Sequence, residues 1–334
     1  GLSVALFVMI VRKMIQNKWL VSSLFFGIMM TVALVSTMPI YSEATLSRML
    51  VKDLETFQLE REVYPGSHYS NIAFFNESDD TRRSVVAQID AFMRQDAAPG
   101  FGIPVDELVT EWRSKSLTVK PIGVEVPANR ANQSATIRAV SGLFEHIKLT
   151  DGRMPAAEPV DGVYEVLLTE KGLANFRTVI GNEFLLEDEK LNISLRVKPV
   201  GTFEKQADDD PFFRDTSLSG FTSAFVVDER LFDSEIMRQN KAPITAVGWF
   251  FVLDYTKMEL SNVQQFLDTN DRIQQKVKSL ITQYQAEFNV PALKTIEQYF
   301  DRANKLETLM WSLNVPVLIM LGFYMFMVSN LIVD

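Results

Sequence analysis

Two histidines, His68 and His146, are the first candidates for catalysis or metal binding in this chain of 334 residues. They lie far apart in the sequence, and neither has a second histidine at the short spacing that many zinc sites use. A zinc site that combines a histidine with carboxylates stays open at this point. The simpler interpretation, which we adopt, is that both are surface or helix-capping residues.

Three consecutive aspartates, Asp208 to Asp210, form the densest acidic cluster and stand directly before Pro211. Carboxylate oxygens at close spacing are suitable ligands for Ca²⁺ or Mg²⁺. The sequence here lacks the alternating ligands, the turn glycine and the distal glutamate of a calcium-binding loop. We therefore predict a solvated loop and no metal site.

The usual signatures of an enzyme are missing from the sequence. Because the chain contains no cysteine, disulfides, thiolate zinc sites and a cysteine nucleophile are excluded. There is no GxSxG nucleophile motif and no GxxxxGK[ST] phosphate loop. A net charge of −9 argues against nucleic acid as a partner, because phosphate binding requires a basic surface. We predict a protein that is not an enzyme and that holds no cofactor itself.

Two uncharged apolar runs, Trp19 to Ser42 and Thr308 to Val333, are each long enough to cross a bilayer, which takes about 20 residues. Arg12, Lys13 and Lys18 precede the first run. The positive-inside rule then places the N-terminus in the cytoplasm and the middle of the chain outside. The lack of disulfides in that external part favours a bacterium. We predict a multi-pass protein of the bacterial cytoplasmic membrane, with the lipid bilayer as a partner and transmembrane helices over 19–42 and 311–333.

The apolar stretch from Leu2 to Val11 is too short to cross a bilayer. With basic residues after it, the stretch predicts a cytoplasmic helix in the membrane interface over residues 1–18. The alternative is one long, tilted helix in which this stretch is the start of the first span. A cleaved signal peptide is disfavoured, because the apolar run is too long and Ser36 to Pro39 matches a cleavage site poorly.

Each span is predicted to continue outward into an amphipathic helix, over 43–62 and 291–310. Pro39 and Pro316 lie near the outer ends of the two spans and are predicted hinges, because proline disrupts helical hydrogen bonding. We interpret the two helices as stalks that pack against each other along their apolar stripes. The alternative is two ordinary surface helices. The predicted packing residues are Leu46, Leu50, Leu54 and Phe57 in the first stalk and Leu293, Ile296, Phe300, Ala303 and Leu306 in the second.

Residues 43–307 are predicted to form an external domain, so the fold class is α+β with two transmembrane helices that flank a mixed domain. Trp249, Phe250 and Phe251 indicate a central strand that is buried on both faces; an apolar ligand groove is the alternative. Helices are predicted over 81–95 (capped by Asp79 and Asp80), 105–115, 170–177, 228–239 and 259–284. Strands are predicted over 117–126, 135–140, 163–169, 183–186, 192–203, 223–227 and 244–253.

Both ends of the chain resemble a known family of membrane proteins. Arg12-Lys13, the run Asn17 to Leu20 and the segment Met38 to Ser42 are similar to the N-terminal segment of FtsX-like ABC transporter permeases. The segment from Val315 to Val333 resembles the second span of the same family.

The middle of the chain is similar to the MacB-like extracytoplasmic domain of such permeases. The turn with Gly152, Arg153 and Pro155 resembles its xGRxP motif, and Gly181 stands in a turn that resembles its xxGd motif. The strands 163–169 and 197–203 are similar to the elements next to these two turns.

The resemblance implies a permease that couples ATP hydrolysis to movements of the external domain. It implies an ABC ATPase on another chain, which would hold ATP and magnesium, and a second permease copy or a homologous permease as a further partner. The expected roles are export or extraction of a lipoprotein, peptide or drug, or regulation of a cell-wall hydrolase. The family usually has four or more spans, so we expect this chain to be an N-terminal fragment of a larger permease.

A different class of protein shares the predicted topology. A two-span sensor receptor would have the same helices, an external ligand-binding domain and a truncated signalling output. For the transporter, an extracytoplasmic substrate or accessory protein is a further candidate partner; transmission of force without any binding by the external domain is the alternative, and both stay open at this point. The segment that follows Asp334 in the intact gene would distinguish the two classes.

Overall fold

The structure is a computed structural model that describes residues 2–125, 132–215, 217–282 and 285–333. The chain divides into two compact units. The helical unit contains the residues up to Asp53, Met258–Gln264 and the residues from Lys294 onward. The sheet unit contains Leu54–Lys257 and Gln265–Leu293.

The helices in the described part of the chain are α1 (Leu2–Gln16), α2 (Lys18–Arg61), α3 (Asp79–Phe92), α4 (Ala98–Gly100), α5 (Leu143–His146), α6 (Glu170–Phe176), α7 (Glu229–Leu231), α8 (Leu260–Leu280) and α9 (Leu293–Val333). Short π-helical turns, Met93–Ala97 and Phe232–Arg238, extend α3 and α7. The strands are β1 (Ser67–Ala73), β2 (Val105–Ser114), β3 (Leu117–Pro121), β4 (Gln133–Val140), β5 (Ile147–Gly152), β6 (Val163–Leu168), β7 (Phe184–Asp188), β8 (Ile193–Lys205), β9 (Ala224–Val226), β10 (Ile244–Leu253) and β11 (Ala286–Asn289).

The two long apolar helices near the termini, α2 and α9, are confirmed, and they flank a mixed α+β unit. Each is continuous: α2 has 44 residues and contains Pro39, and α9 has 41 residues and contains Pro316. Both prolines are accommodated inside helices, so their function as hinges stays a prediction. Asp334, where the second span was expected to reach the cytoplasm, lies outside the described residues.

Helices α1 and α2 are separated by a single residue, Asn17. Its backbone N–H donates to the Lys13 carbonyl at 3.0 Å, and its own carbonyl accepts from Val21 at 3.1 Å. Because helical hydrogen bonds continue across Asn17, the geometry is close to the alternative of one long helix. A location of α1 in a membrane interface stays a prediction.

The sheet has the strand order β11-β1-β10-β2-β4-β3-β7-β8-β6-β9, and β5 pairs with β8. Strand β9 also pairs with β4, in parallel. Six strands, β4, β3, β7, β8, β6 and β9, therefore close into a ring, while β2, β10, β1 and β11 extend from it as an open sheet. Phe176 of α6 stacks on Phe225 of β9, with ring centroids 4.8 Å apart, and both side chains are buried.

Strand β10 lies between β1 and β2 and is buried on both faces, as predicted for Trp249 to Phe251. Register places His68 opposite Phe251 and Tyr69 opposite Phe250. The two alternating sets of side chains face different surroundings. On one face, His68 packs against Phe101 and against Phe266 of α8. On the other face, Tyr69 and Phe250 belong to a core cluster that also contains Phe212 and Phe213.

Several predicted elements are wrong or displaced. The helix expected over 105–115 is strand β2, because this segment pairs along most of its length with β10. The N-cap of α3 is Ser78, whose hydroxyl accepts from the Thr81 N–H, and not Asp79 or Asp80. Strands β1, β5 and β11 were not predicted. The predicted ends at Val126 and Tyr284 lie outside the described residues.

Candidate functional site

A groove of about 360 Å³ lies between α2 and α9 in the helical unit. Four of the predicted packing residues line it together with the predicted hinge Pro39: Leu46, Phe300, Ala303 and Leu306. The first residues of α8, Leu260 and Ser261, complete the wall.

Polar contacts join α2 to α9 at three levels. The Ser23 and Tyr324 hydroxyls lie 3.3 Å apart, and Ser42 donates to the Met310 sulfur at 3.6 Å. Farther along α2, Asp53 accepts from the Tyr299 hydroxyl at 2.8 Å. As the residue number rises along α2, the residue number of the contacting residue in α9 falls, so the two helices run antiparallel. From Ser23 to Asp53 the contacts extend over about 45 Å, at 1.5 Å per residue.

The polar end of this helix pair is the well-packed part of the helical unit. Leu50 and Ile296 are fully buried, and Tyr299 is nearly so. Burial and the hydrogen bond to Asp53 raise the pKa of Tyr299 to about 12, so the hydroxyl stays a donor at neutral pH. At this level a hydrogen bond joins the two helices.

The remaining predicted packing residues lie elsewhere. Leu54 is fully buried and Phe57 and Leu293 are half-buried, but all three belong to the sheet unit. Pro316 lies inside α9 and does not line the groove.

The apolar segments of α2 and α9 are long enough to cross a membrane and remain exposed. None of the most apolar 18-residue window of α2 and only 6% of that of α9 is buried. A core helix of a soluble domain would be covered, so this exposure indicates a membrane protein. Hydroxyls in these helices, including those of Thr31 and Thr37, donate to carbonyls of their own helix, which suits an environment without water.

The glycines singled out by the resemblance meet at strand β8. Gly152 has φ +76°. An added Cβ there would lie 2.2 Å from the Val200 carbonyl oxygen, so this turn requires glycine. The N–H of Gly181, in the second turn, donates to Pro199 at 2.8 Å. Two separate turns are thereby attached to adjacent residues of one strand.

Arg153 and Pro155 stabilise the same region. The Arg153 guanidinium binds both carboxylate oxygens of buried Glu165, which also accepts from the Ala156 N–H at 2.9 Å. The bond from Arg153 lowers the pKa of Glu165 in spite of its burial. Pro155, two residues after Arg153, is buried. These contacts give the turn a structural role.

His68 is not a surface residue, so that prediction is wrong. It is completely buried, its Nε2 lies 3.0 Å from Asn270 Oδ1, and its Nδ1 has no partner among the described residues. Burial lowers the pKa of His68 to about 4, which keeps the ring neutral at physiological pH.

His146 is half-buried and contacts the aspartate cluster. Its Nδ1 lies 2.7 Å from Asp210, its Nε2 lies 3.1 Å from Glu107, and its ring stacks on Phe212 at 4.0 Å. Within the described ranges, no group of three or more histidine, aspartate or glutamate side chains is placed to hold a metal ion.

A second cavity, in the sheet unit, was missed at the sequence level. Its lining includes Arg138, which is the charged residue of strand β4 and is buried, together with Arg214, Glu111 and Asp215. A lone arginine in a strand of this kind was the available signal. The other lining residues come from distant parts of the chain and gave none.

No protein-family model matches this chain, and no curated protein matches it by sequence. Among solved structures, it is similar to a domain from Porphyromonas gingivalis that is provisionally described as part of a permease protein. That likeness has 9% identity and a TM-score of 0.32, and it covers 67% of this chain and 88% of the other. A likeness at this level does not assign the chain to a family.

Proposed function

We propose that this protein is the permease subunit of an ABC transporter, of the FtsX-like type with a MacB-like external domain. In this proposal α2 and α9 carry movements between an ATPase on another chain, in the cytoplasm, and the sheet unit on the far side of the membrane. ATP and magnesium belong to that ATPase. A second permease copy or a homologous permease completes the transporter.

The continuity of the two long helices carries this proposal. At 1.5 Å per residue, the 44 residues of α2 extend about 66 Å, roughly twice the thickness of the hydrocarbon core of a bilayer. Each helix combines an exposed apolar segment with a polar segment that is partly buried. One unbroken helix is therefore long enough to cross the membrane and continue well beyond it.

The contacts between α2 and α9 support a mechanical role. The tight level at Leu50, Ile296 and Tyr299 would keep the helices together, while the groove at Pro39 and Leu306 leaves room for them to shift. The Ser42–Met310 contact lies at the groove and would change with such a shift.

A reversible lock tests this mechanism. Because the chain has no cysteine, the pair Ser42→Cys and Met310→Cys is the only site for a short bis-methanethiosulfonate linker. We expect the linked permease, assembled with its ATPase in vesicles, to lose coupled transport and to regain it after reduction. Single-cysteine variants treated in the same way should be unaffected. Full transport by the linked form would contradict the mechanism.

Charge in the packed stripe gives a second test. Leu50→Asp or Leu306→Asp should uncouple ATP hydrolysis from transport, because a carboxylate would enter an apolar contact. The matched control is Met49→Asp, since Met49 is the exposed neighbour of Leu50. Normal coupling in both variants would refute the proposed role of the stripe.

Purification from the native membrane distinguishes the proposal from a sensor receptor. The intact gene product should copurify with an ABC ATPase and change its rate of hydrolysis. Copurification with a kinase or a methyl-accepting signalling protein, and with no ATPase, would overturn the transporter assignment.

A further inference from the structure

The groove between α2 and α9 changes from uncharged to acidic along its length. One end is lined by uncharged, mostly apolar side chains: Val35, Pro39, Trp311 and Asn314. Glu43 and Glu307 line the part toward the polar end of the helix pair. Of the described residues that line the groove, none is lysine or arginine. A ligand that matches the whole groove therefore has an apolar part and a cationic part.

The two carboxylates lie at nearly the same level of the helix pair. The contact of Ser42 with Met310 and the contact of Asp53 with Tyr299 are eleven residues apart on each helix, so the register between the helices is constant over this part. The first carboxylate is one residue beyond Ser42, and the second is three residues beyond Met310, both toward the polar end. At 1.5 Å per residue, their levels differ by only about 3 Å.

Two exposed aromatic side chains mark the membrane interface beside this level. Tyr41 and Trp311 are 76% and 58% exposed, and the same register places them level with each other. Tryptophan and tyrosine are enriched where the hydrocarbon core of a bilayer meets the headgroups. Glu43 and Glu307 lie about 3 and 6 Å farther toward the polar end, at 1.5 Å per residue. Both carboxylates are therefore at the depth of the headgroup layer, which is roughly 5–8 Å thick on each side of the bilayer.

These carboxylates are open to a ligand. Glu43 and Glu307 are exposed, and in the described part of the chain neither forms an ion pair. An ammonium group can donate to both at once, because it has three N–H donors. The side-chain amide of Asn304, which lines the same part of the groove, can donate to a phosphate oxygen beside that ammonium. The polar groups thus match a headgroup that joins an ammonium to a phosphate.

The size and charge of the groove restrict which lipid it can hold. Its volume of about 360 Å³ is within the roughly 300–1,000 Å³ of ordinary ligand sites, so it can hold a headgroup and the first part of an acyl chain. The rest of the chain would lie along the exposed apolar surface of α2 and α9. An anionic headgroup would be repelled by two carboxylates. A choline headgroup is cationic, but its trimethylated nitrogen has no N–H to donate.

We propose that this groove binds a phospholipid of the surrounding bilayer that has a primary ammonium in its headgroup, such as phosphatidylethanolamine. The ammonium donates to Glu43 and Glu307, and an acyl chain lies against Val35 and Pro39. This proposal requires the two helices to be in a membrane, but it requires neither transport nor an ATPase. Its failure is therefore distinguishable from failure of the proposed function.

Binding is tested on the full chain in detergent by native mass spectrometry, with titration of dioleoyl-phosphatidylethanolamine and of the choline and glycerol lipids with the same acyl chains. The ethanolamine lipid should bind about tenfold more tightly than the glycerol lipid, because each of two exposed ion pairs contributes up to about fivefold. The choline lipid should lie between them. Equal binding of all three lipids would overturn the proposal.

Glu43→Gln combined with Glu307→Gln is the main variant, because it removes both charges and keeps the size of both side chains. Its preference for the ethanolamine lipid over the glycerol lipid should fall below about twofold. The matched control is Glu60→Gln combined with Glu297→Gln, since these exposed carboxylates lie on the same two helices but do not line the groove. The control should keep the preference of the wild type. An unchanged preference in the main variant would overturn the proposal. A dimer that Ala303→Phe disrupts, without any lipid preference, would show that a second copy fills the groove and would overturn it as well.

Discussion

The helical unit and the sheet unit treat apolar surface in opposite ways. In the helical unit, large side chains such as Trp19, Phe25 and Phe323 are exposed along most of α2 and α9. In the sheet unit, Trp249 and Phe251 are completely buried. Polar groups differ in the same sense, because the hydroxyls of Thr31 and Thr37 in α2 bond to their own backbone while the sheet unit buries His68 and Arg138.

This difference indicates that one chain is adapted to two solvents. Exposed apolar side chains destabilise a protein in water but are favourable in lipid. In the sheet unit, packing excludes water from the aromatic rings, and a polar group buried among them is costly unless it keeps hydrogen bonds. Substitutions of the same kind in the two units should therefore have different effects, and the following comparisons are ordered by expected size.

Tryptophan gives the largest contrast. Trp249→Ala should destabilise the sheet unit by about 3–5 kcal/mol, because it leaves a cavity in the core and removes the donor to Asp90. Trp19 is 83% exposed, and Trp19→Ala should leave the sheet unit unchanged. Denaturant unfolding, monitored by hydrogen exchange, measures the stability change in both variants. Equal losses in the sheet unit would remove the contrast.

Acid should weaken the sheet unit through His68. Its pKa is lowered to about 4 in the folded chain, from an ordinary value of 6.5. The unfolded chain therefore takes up this proton first as the pH falls. Stability contributed by neutral His68 is present above pH 6.5 and is lost between pH 6.5 and 4, by roughly 3 kcal/mol in total.

The check is hydrogen exchange as a function of pH, with His68→Gln as the comparison. That variant should lose less stability over the same interval. Exchange in α9 serves as the internal control, because both histidines belong to the sheet unit. An identical pH dependence in wild type and variant would show that another group controls it.

Two glycines with similar backbone angles allow the cost of backbone strain to be distinguished from the cost of a steric collision by an added Cβ. Gly152 and Gly162 have φ of +76° and +75°. An added Cβ would collide with Val200 at the first and would meet nothing within 4 Å at the second. Gly152→Ala should therefore cost about 1–3 kcal/mol more than Gly162→Ala, measured by denaturant unfolding. Equal costs would mean that the Gly152 turn adjusts without loss.

The smallest expected effect lies in the helical unit. Tyr299→Phe removes the hydrogen bond to Asp53 and should cost about 1 kcal/mol, since Asp53 is exposed and regains water. Hydrogen exchange in α9 near residue 299 reports the change. Tyr41→Phe is the control, because Tyr41 is 76% exposed. A loss in the control as large as in Tyr299→Phe would show that the Asp53 contact is not specific.

The sequence predicted elements well where local pattern decides the structure. The spans follow from length and apolarity, and the predicted strand over 244–253 coincides with β10. The segment 105–115 was misassigned because Val105, Leu108, Val109 and Trp112 have helical spacing, whereas pairing with β10 decides the structure. Strand β1 gave no alternation signal, because most of it is buried on both faces.

The candidate sites differ in the same respect. Leu46 and Leu306 of the groove could be singled out from the sequence, because they lie on regular helical stripes. The arginine cavity was not, because Tyr69, Arg138 and Arg214 are brought together only by strand pairing and by the loop after β8. A site of this kind depends on contacts that no short sequence window contains.

The central claim is that α2 and α9 each pass from lipid into water within one helix. Single cysteines at Leu34 and Ile319, and at Leu59 and Glu297, can carry nitroxide labels in lipid vesicles, since the chain has no other cysteine. Collision rates with oxygen and with a water-soluble nickel chelate measure the surroundings of each label. We expect oxygen to dominate at Leu34 and Ile319 and nickel to dominate at Leu59 and Glu297. Dominance of nickel at all four positions would contradict the account.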